Sequence, residues 1–172
     1  MKRFLCILIL LTMIPAGALA AVGALNDFST YDMSGETVTQ DIFSDYDLTM
    51  VNVWTTWCEY CVYEMPELAR LKNMLPENVN LITICDDATI EPVKAYQILS
   101  SAGAGFQTLM GTQEIHDQFL YQAYSYPTTF FLNSRGEPVG EELVGLPSMD
   151  SIAETYLGVI EEILASMQTG AD

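Results

Sequence analysis

Along this chain the apolar residues fall into short runs divided by turn signals, and their spacing changes character from one run to the next. Leu48–Trp54 (LTMVNVW) and Asn78–Cys85 (NVNLITIC) carry no charge and are rich in β-branched side chains, as strands buried on both faces must be. Between them Met65, Leu68, Leu71 and Leu75 recur at helical spacing, which predicts a helix from about Cys58 to Leu75, stopped by Pro76. Pro66 lies inside that helix and should remove one N–H there. A second helix is expected over Thr89–Ser101. Strand, helix, strand and helix in succession predict that the first two central strands are parallel, joined by a crossover.

The pattern then changes. Gly103–Gly105 interrupts it, Phe106–Met110 reads as a short extended piece, and Thr112 is placed to cap a helix running to about Tyr124. Thr128–Asn133 (TTFFLN) and Pro138–Leu143 read as strands of a hairpin around Ser134–Glu137, where Gly136 can adopt positive φ. Ser148 is expected to cap a last helix, with Ile152, Tyr156, Ile160, Ile163 and Met167 on one side and Glu154, Glu161 and Glu162 on the others. The C-terminal half therefore reads as antiparallel and helix-terminated. Near the start, Asp27–Tyr31 and Glu36–Gln40 flank the turn signal Ser34-Gly35. The expected fold class is α/β: a central mixed β-sheet with helices on both faces and an N-terminal β-hairpin.

Residues 2–20 (KRFLCILILLTMIPAGALA) differ from all of this: two cations, an apolar stretch, then the small-residue triplet Ala18-Leu19-Ala20. That is the pattern of a secretory signal peptide over residues 1–20, or of an uncleaved membrane anchor reaching about residue 25. Either way the remaining chain, residues 21–172, reads as one domain outside the cytoplasmic membrane, with no linker or internal repeat.

Composition narrows the classes further. The chain has 172 residues, 50% of them hydrophobic and 17% charged, so a buried core is available and disorder is excluded. Acidic residues number 23 against 6 basic ones, a net charge of −17, and Lys2 and Arg3 of the N-terminal segment are among the few cations. Nucleic acid and anionic membrane surfaces would repel such a domain.

The chemistry is concentrated in Trp57-Cys58-Glu59-Tyr60-Cys61, where a buried strand passes into a helix. Cys58 would occupy the helix's first turn, where free N–H groups and the helix dipole favour a thiolate. Cys61, one turn on along the same face, is close enough to form a disulfide with it and to resolve a mixed disulfide at Cys58. A zinc half-site is the alternative, but beyond the pair only Cys85 and His116 are on offer, at no ligand spacing. A static bridge across so short a loop would add little stability. Cys85 ends an apolar strand and reads as a small core residue.

The segment VNVWTTWCEYCVYEMPEL resembles the active-site segment of thioredoxin-fold proteins, specifically the TlpA/ResA-like exported thiol-disulfide oxidoreductases: an aromatic-rich strand, W-C-x-x-C, then Glu-x-Pro. Residues 26–40 resemble that family's N-terminal hairpin, and Tyr126-Pro127-Thr128-Thr129-Phe130 its cis-proline segment. The resemblance implies a thioredoxin-like fold, Cys58 and Cys61 as the catalytic disulfide pair, and Glu64 as the active-site acid that takes the proton of Cys61. On residue pattern alone the alternative for Glu64 is an ordinary solvated helix carboxylate. The resemblance further implies that Trp57, Tyr126 and Pro127 form the substrate-binding surface, with Trp57 shielding the disulfide and a cis peptide before Pro127. The Glu59-Tyr60 dipeptide departs from relatives that carry a proline there, so redox poise does not carry over.

The implied function is an oxidoreductase that reduces disulfides in client proteins, needing no metal or cofactor and recharged by a membrane electron donor. Two alternatives remain at this point. A thiol peroxidase would carry Pro-x-x-x-Thr-x-x-Cys, whereas Thr55 matches and Val51 stands in place of the proline. A metal-delivery module on the same fold would have three residues between its cysteines, not two.

Overall fold

The computed structural model describes residues 24–169, so the expected signal segment at residues 1–20 lies outside the described residues. Leu25, the far end of the alternative anchor, is buried in the domain, and its N–H bonds the Gly136 carbonyl at 2.8 Å.

A hairpin of β1 (Ser29–Tyr31) and β2 (Thr37–Thr39) opens the domain. Its turn is closed by the Asp32 carboxylate, which accepts the N–H groups of Ser34 and Glu36 and the Ser34 hydroxyl. Then follow β3 (Leu48–Trp54), α1 (Glu59–Lys72), β4 (Val79–Cys85), α2 (Pro92–Ala102), β5 (Gln107–Met110), α3 (Gln113–Gln118), β6 (Thr128–Asn133), β7 (Leu143–Val144) and α4 (Ile152–Thr169). The five-stranded sheet has the order β5-β4-β3-β6-β7, with β4 parallel to both β3 and β5, and β6 antiparallel to β3 and β7.

Alternation along the strands divides the core into two layers. Met50, Trp54, Leu81 and Phe131 pack with Met65 and Leu68 of α1, Leu99 of α2 and Tyr156 and Ile160 of α4. Val51, Val53, Ile82, Ile84, Phe130 and Leu132 pack on the other face with Ile115 of α3, Phe119 and Leu120, and with Phe28 and Val38 of the hairpin region. The expected mixed sheet with helices on both faces and an N-terminal hairpin is therefore present.

Several boundaries differ from expectation, each for a local reason. Helix α1 ends at Lys72, with Asn73 as its C-cap, and Cys58 is its N-cap rather than a residue of its first turn. Helix α2 begins at Pro92, not Thr89, because residues 86–90 form turns and Pro92, lacking an N–H, fits the first helical position. The helix expected up to Tyr124 stops at Gln118: Phe119 takes φ −133° and is fully buried, its ring 4.7 Å from that of Phe130, and one 3-10 turn follows. Pro138–Leu143 is not a strand. Gly136 and Gly140 take φ of 70° and 75°, so the chain touches β6 through Pro138 and Val139, swings away, and rejoins it only at Leu143–Val144. Ser148 does not cap α4; its hydroxyl engages Asp150 and Ser151, and the Ser151 carbonyl accepts the Thr155 N–H at 2.9 Å as the helix starts. The C-terminal half is not wholly antiparallel, since β5 joins β4 in parallel.

Candidate active site

Strand register brings three chain segments to one end of the sheet. Trp54 pairs with Cys85, so β3 and β4 finish side by side, and the Asp86 N–H bonds the Trp54 carbonyl at 2.9 Å. Thr128 pairs with Val53, which sets the start of β6, and with it Tyr126-Pro127, beside the end of β3. The loop leading to Cys58 thus lies between Asp86-Asp87 and Tyr126-Pro127.

Cys58 and Cys61 form a disulfide, with Cα atoms 5.2 Å apart. The Cys61 N–H points at Cys58 Sγ, 3.1 Å away, and the Val62 N–H bonds the Cys58 carbonyl at 3.1 Å. The two sulfurs differ in access: Cys58 is 6% exposed and Cys61 0%. Trp57, 65% exposed, stands edge-on to the half-buried Tyr126 with ring centroids 5.7 Å apart. The Tyr126–Pro127 peptide bond is cis. The Tyr126 hydroxyl donates to Asp86, and burial followed by this carboxylate pushes its pKa up.

Glu64 is 0% exposed, so the solvated-carboxylate reading fails. Its Oε1 accepts from Asn52 Nδ2 at 2.8 Å and its Oε2 from the Tyr156 hydroxyl at 3.2 Å. Burial raises its pKa to about 7, while the two hydrogen bonds pull the other way.

Four participants escaped the sequence reading. Asp87 accepts the Thr56 N–H at 2.9 Å and the Thr56 hydroxyl at 2.6 Å, so it pins the loop two residues before Cys58. Asn52, Thr129 and Tyr156 surround Glu64. The signals existed: Asn52 is the one amide in a buried apolar strand, Tyr156 the one hydroxyl in the apolar stripe of α4, and Asp86-Asp87 follows directly on β4.

Cys85 is free and fully buried. Burial, with Asp87 and Asp86 beside it, pushes its thiol well above the usual range. It should therefore resist iodoacetamide in the native protein and be labelled only after unfolding, as mass spectrometry of the two samples will read; a bridge from Cys85 to Cys58 or Cys61 would overturn the simple pair. His116 is exposed, and among the described residues no three His, Cys, Asp or Glu side chains gather as a metal site requires.

Comparison with known proteins agrees with this geometry. The chain is 26% identical over 113 residues to the thiol-disulfide oxidoreductase ResA of Bacillus subtilis (strain 168), covering 64% of this chain and 60% of that relative's length. In structure it resembles a thiol:disulfide interchange protein of the thioredoxin family from Chlorobium tepidum TLS (TM-score 0.67, 19% identity, 84% of this chain and 98% of that one). It also resembles a secreted Mycobacterium tuberculosis disulfide oxidoreductase (TM-score 0.59, 19% identity, 77% and 96%). These likenesses establish the thioredoxin-like fold. The AhpC/TSA family profile matches residues 23–137, more than half of the chain, and that stretch includes both cysteines of the pair, the buried acid and the cis proline; the chain belongs to the AhpC/TSA family.

Proposed function

We propose that this protein is a thiol-disulfide oxidoreductase that passes two electrons from the Cys58–Cys61 dithiol to a disulfide of a client protein. The observation that carries this reading is the pair itself, at the start of α1, with Cys58 the more accessible of the two sulfurs, Cys61 sealed, and a buried carboxylate one turn beyond. In the reduced protein the Cys58 thiolate attacks one client sulfur; the Cys58–client bond forms and the client disulfide breaks. Cys61 gives its proton to Glu64 and attacks Cys58 Sγ, closing the pair and expelling the second client sulfur as a thiolate, which takes its proton from solvent. Trp57, Tyr126 and Pro127 supply the surface on which the client lies. The name of the ResA relative supports the reaction.

We extend the proposal to place and direction. The signal-like segment at residues 1–20 and the printed description of the Mycobacterium tuberculosis relative support an exported domain, whether freed or held by its N-terminal segment. In an oxidising compartment a reductant needs an electron donor from the membrane to restore its dithiol. The peroxidase alternative is not favoured: both arginines among the described residues are engaged elsewhere, Arg70 with Glu67 and Glu154, and Arg135 with Glu137.

Electrostatics supports the reductase direction. The Cys61 N–H and the helix N-terminus favour a Cys58 thiolate, but Glu59 adjoins it and the whole chain carries −17. A weakly stabilised thiolate makes the reduced form less favoured. Equilibration of the protein against defined thiol buffers should give a reduction potential nearer about −270 mV than about −120 mV. Glu59→Gln should raise it. A wild-type value close to that of a strong oxidant would overturn the direction.

A further inference from the structure

Glu64 is one corner of a closed ring of four side chains drawn from four elements. Asn52 of β3 donates from Nδ2 to Glu64 Oε1 at 2.8 Å and to Thr129 Oγ1 of β6 at 3.0 Å. Thr129 Oγ1 lies 3.0 Å from the hydroxyl of Tyr156 on α4, with either able to donate, and Tyr156 reaches Glu64 Oε2 at 3.2 Å. Asn52, Glu64, Thr129 and Tyr156 are each 0% exposed. One polar atom of the ring, Asn52 Oδ1, has no partner.

An ionised carboxylate only accepts hydrogen bonds, whereas a protonated one must also donate. A fixed ring of donors would suit one state and strand a buried hydrogen in the other, which is costly in a dry interior. We propose that Thr129 and Tyr156 form a reversible hydroxyl pair through which Glu64 takes up and gives back one proton with no rearrangement of the ring beyond a turn of the Asn52 side chain. With Glu64 ionised, Asn52 donates to Glu64 and Thr129, Thr129 donates to Tyr156, and Tyr156 donates to Glu64. When Glu64 receives a proton on Oε2, that hydrogen goes to Tyr156 Oη, the Tyr156 hydroxyl turns to Thr129, and a turn of the Asn52 side chain brings its unpartnered Oδ1 to the Thr129 hydroxyl while Nδ2 keeps Glu64 Oε1. The carboxyl gains the proton that its donor loses, and nothing else changes hands. Thr129 and Tyr156 are thus positioning residues. Their use in disulfide exchange rests on the proposed role of Glu64 as acceptor for the Cys61 proton.

No charge competes with this assignment at close range among the described residues. Asn52 from β3 and Tyr156 from α4 bond Glu64 directly, Thr129 from β6 bonds both of them, and Cys61, buried on the same helix as Glu64, is held in the disulfide. The ions where α1 meets α4, Glu67, Arg70 and Glu154, are paired with one another toward solvent.

The test is a carbon-13 NMR titration of the Glu64 carboxyl in the full oxidised chain, where no turnover occurs. Tyr156→Phe removes a donor from the carboxylate and should raise the midpoint by about one pH unit. Thr129→Val leaves Tyr156 with nowhere to turn its hydrogen when Glu64 is protonated, and should lower the midpoint. Thr129→Ser keeps the hydroxyl and should restore the wild-type value. In the wild type the Tyr156 ring carbon bearing the oxygen should titrate with the Glu64 midpoint, a readout that needs no variant. Shifts of the same sign in Tyr156→Phe and Thr129→Val, a Thr129→Ser value matching Thr129→Val, or a flat Tyr156 signal would each overturn the hydroxyl pair. A separate measurement isolates the function: release of 5-thio-2-nitrobenzoate from its mixed disulfide with Cys58 reports the attack of Cys61. If that rate ignores pH across the Glu64 midpoint while the ring titrates as expected, the acceptor role fails and the hydroxyl pair stands.

Discussion

Cys61→Ser should convert the protein from a turnover catalyst into a trap, with clients held covalently at Cys58 and multiple-turnover disulfide reduction abolished, while Cys58→Ser should trap nothing. The asymmetry follows from access and from the helix start. Cys58 caps α1, is the only sulfur of the pair with any exposure, and receives the Cys61 N–H at its sulfur, a bond that in the reduced protein falls on a thiolate. A charge-assisted hydrogen bond of that kind contributes roughly 1.5–3 kcal/mol. Cys61 is fully enclosed and can meet only the sulfur beside it. Its replacement by Ser leaves the first exchange intact and removes the second, so the Cys58–client bond persists. The backbone N–H at position 61 survives the substitution, so the Cys58 thiolate keeps its partner. Non-reducing electrophoresis, then mass spectrometry of the linked peptides, reads the outcome. Adducts forming on Cys61 in Cys58→Ser would reverse the assignment.

The second large effect is on stability. Glu64 has an ordinary value of 4.5 and a folded value of about 7, raised chiefly by burial. Because the native state binds this proton more tightly than the unfolded chain, the contribution of Glu64 is fully present below about pH 4.5 and is lost as pH rises through 7. A shift of that size corresponds to about 3 kcal/mol. Glu64→Gln keeps the shape and an acceptor for Asn52 but cannot ionise. In urea unfolding of the oxidised protein, the variant should therefore gain on the wild type by about 3 kcal/mol between pH 4.5 and pH 8, the gain accumulating across that window. Other acids titrate alike in both proteins, so the difference isolates position 64. Parallel profiles would mean that Glu64 does not carry the raised value.

How much of this was legible in advance varies with the kind of interaction. β3 and β6 were read to the residue, and β4 to within one, because each is an unbroken apolar run bounded by turn residues. The Pro138–Leu143 segment misled because its composition suits a strand, while two glycines at positive φ lift most of it off β6. Thr89 misled in another way: the residues after Cys85 are occupied by turns, with Asp87 committed to Thr56, which delays α2 to Pro92.

By itself the sequence determined the class of fold, the hairpin, the three long strands and the Cys58–Cys61 pair at a helix start, because each depends on neighbours within a few residues. Periodicity states which face a side chain presents but not what meets it there. Only the tertiary structure decided that β5 pairs in parallel with β4, that Asp87 holds the loop before Cys58, and that Glu64 is sealed from water beside a tyrosine 92 residues away. Desolvation and buried hydrogen bonding are properties of the assembled layers. A glutamate on an amphipathic helix becomes a neutral-pH acid only when β3, β6 and α4 close over it.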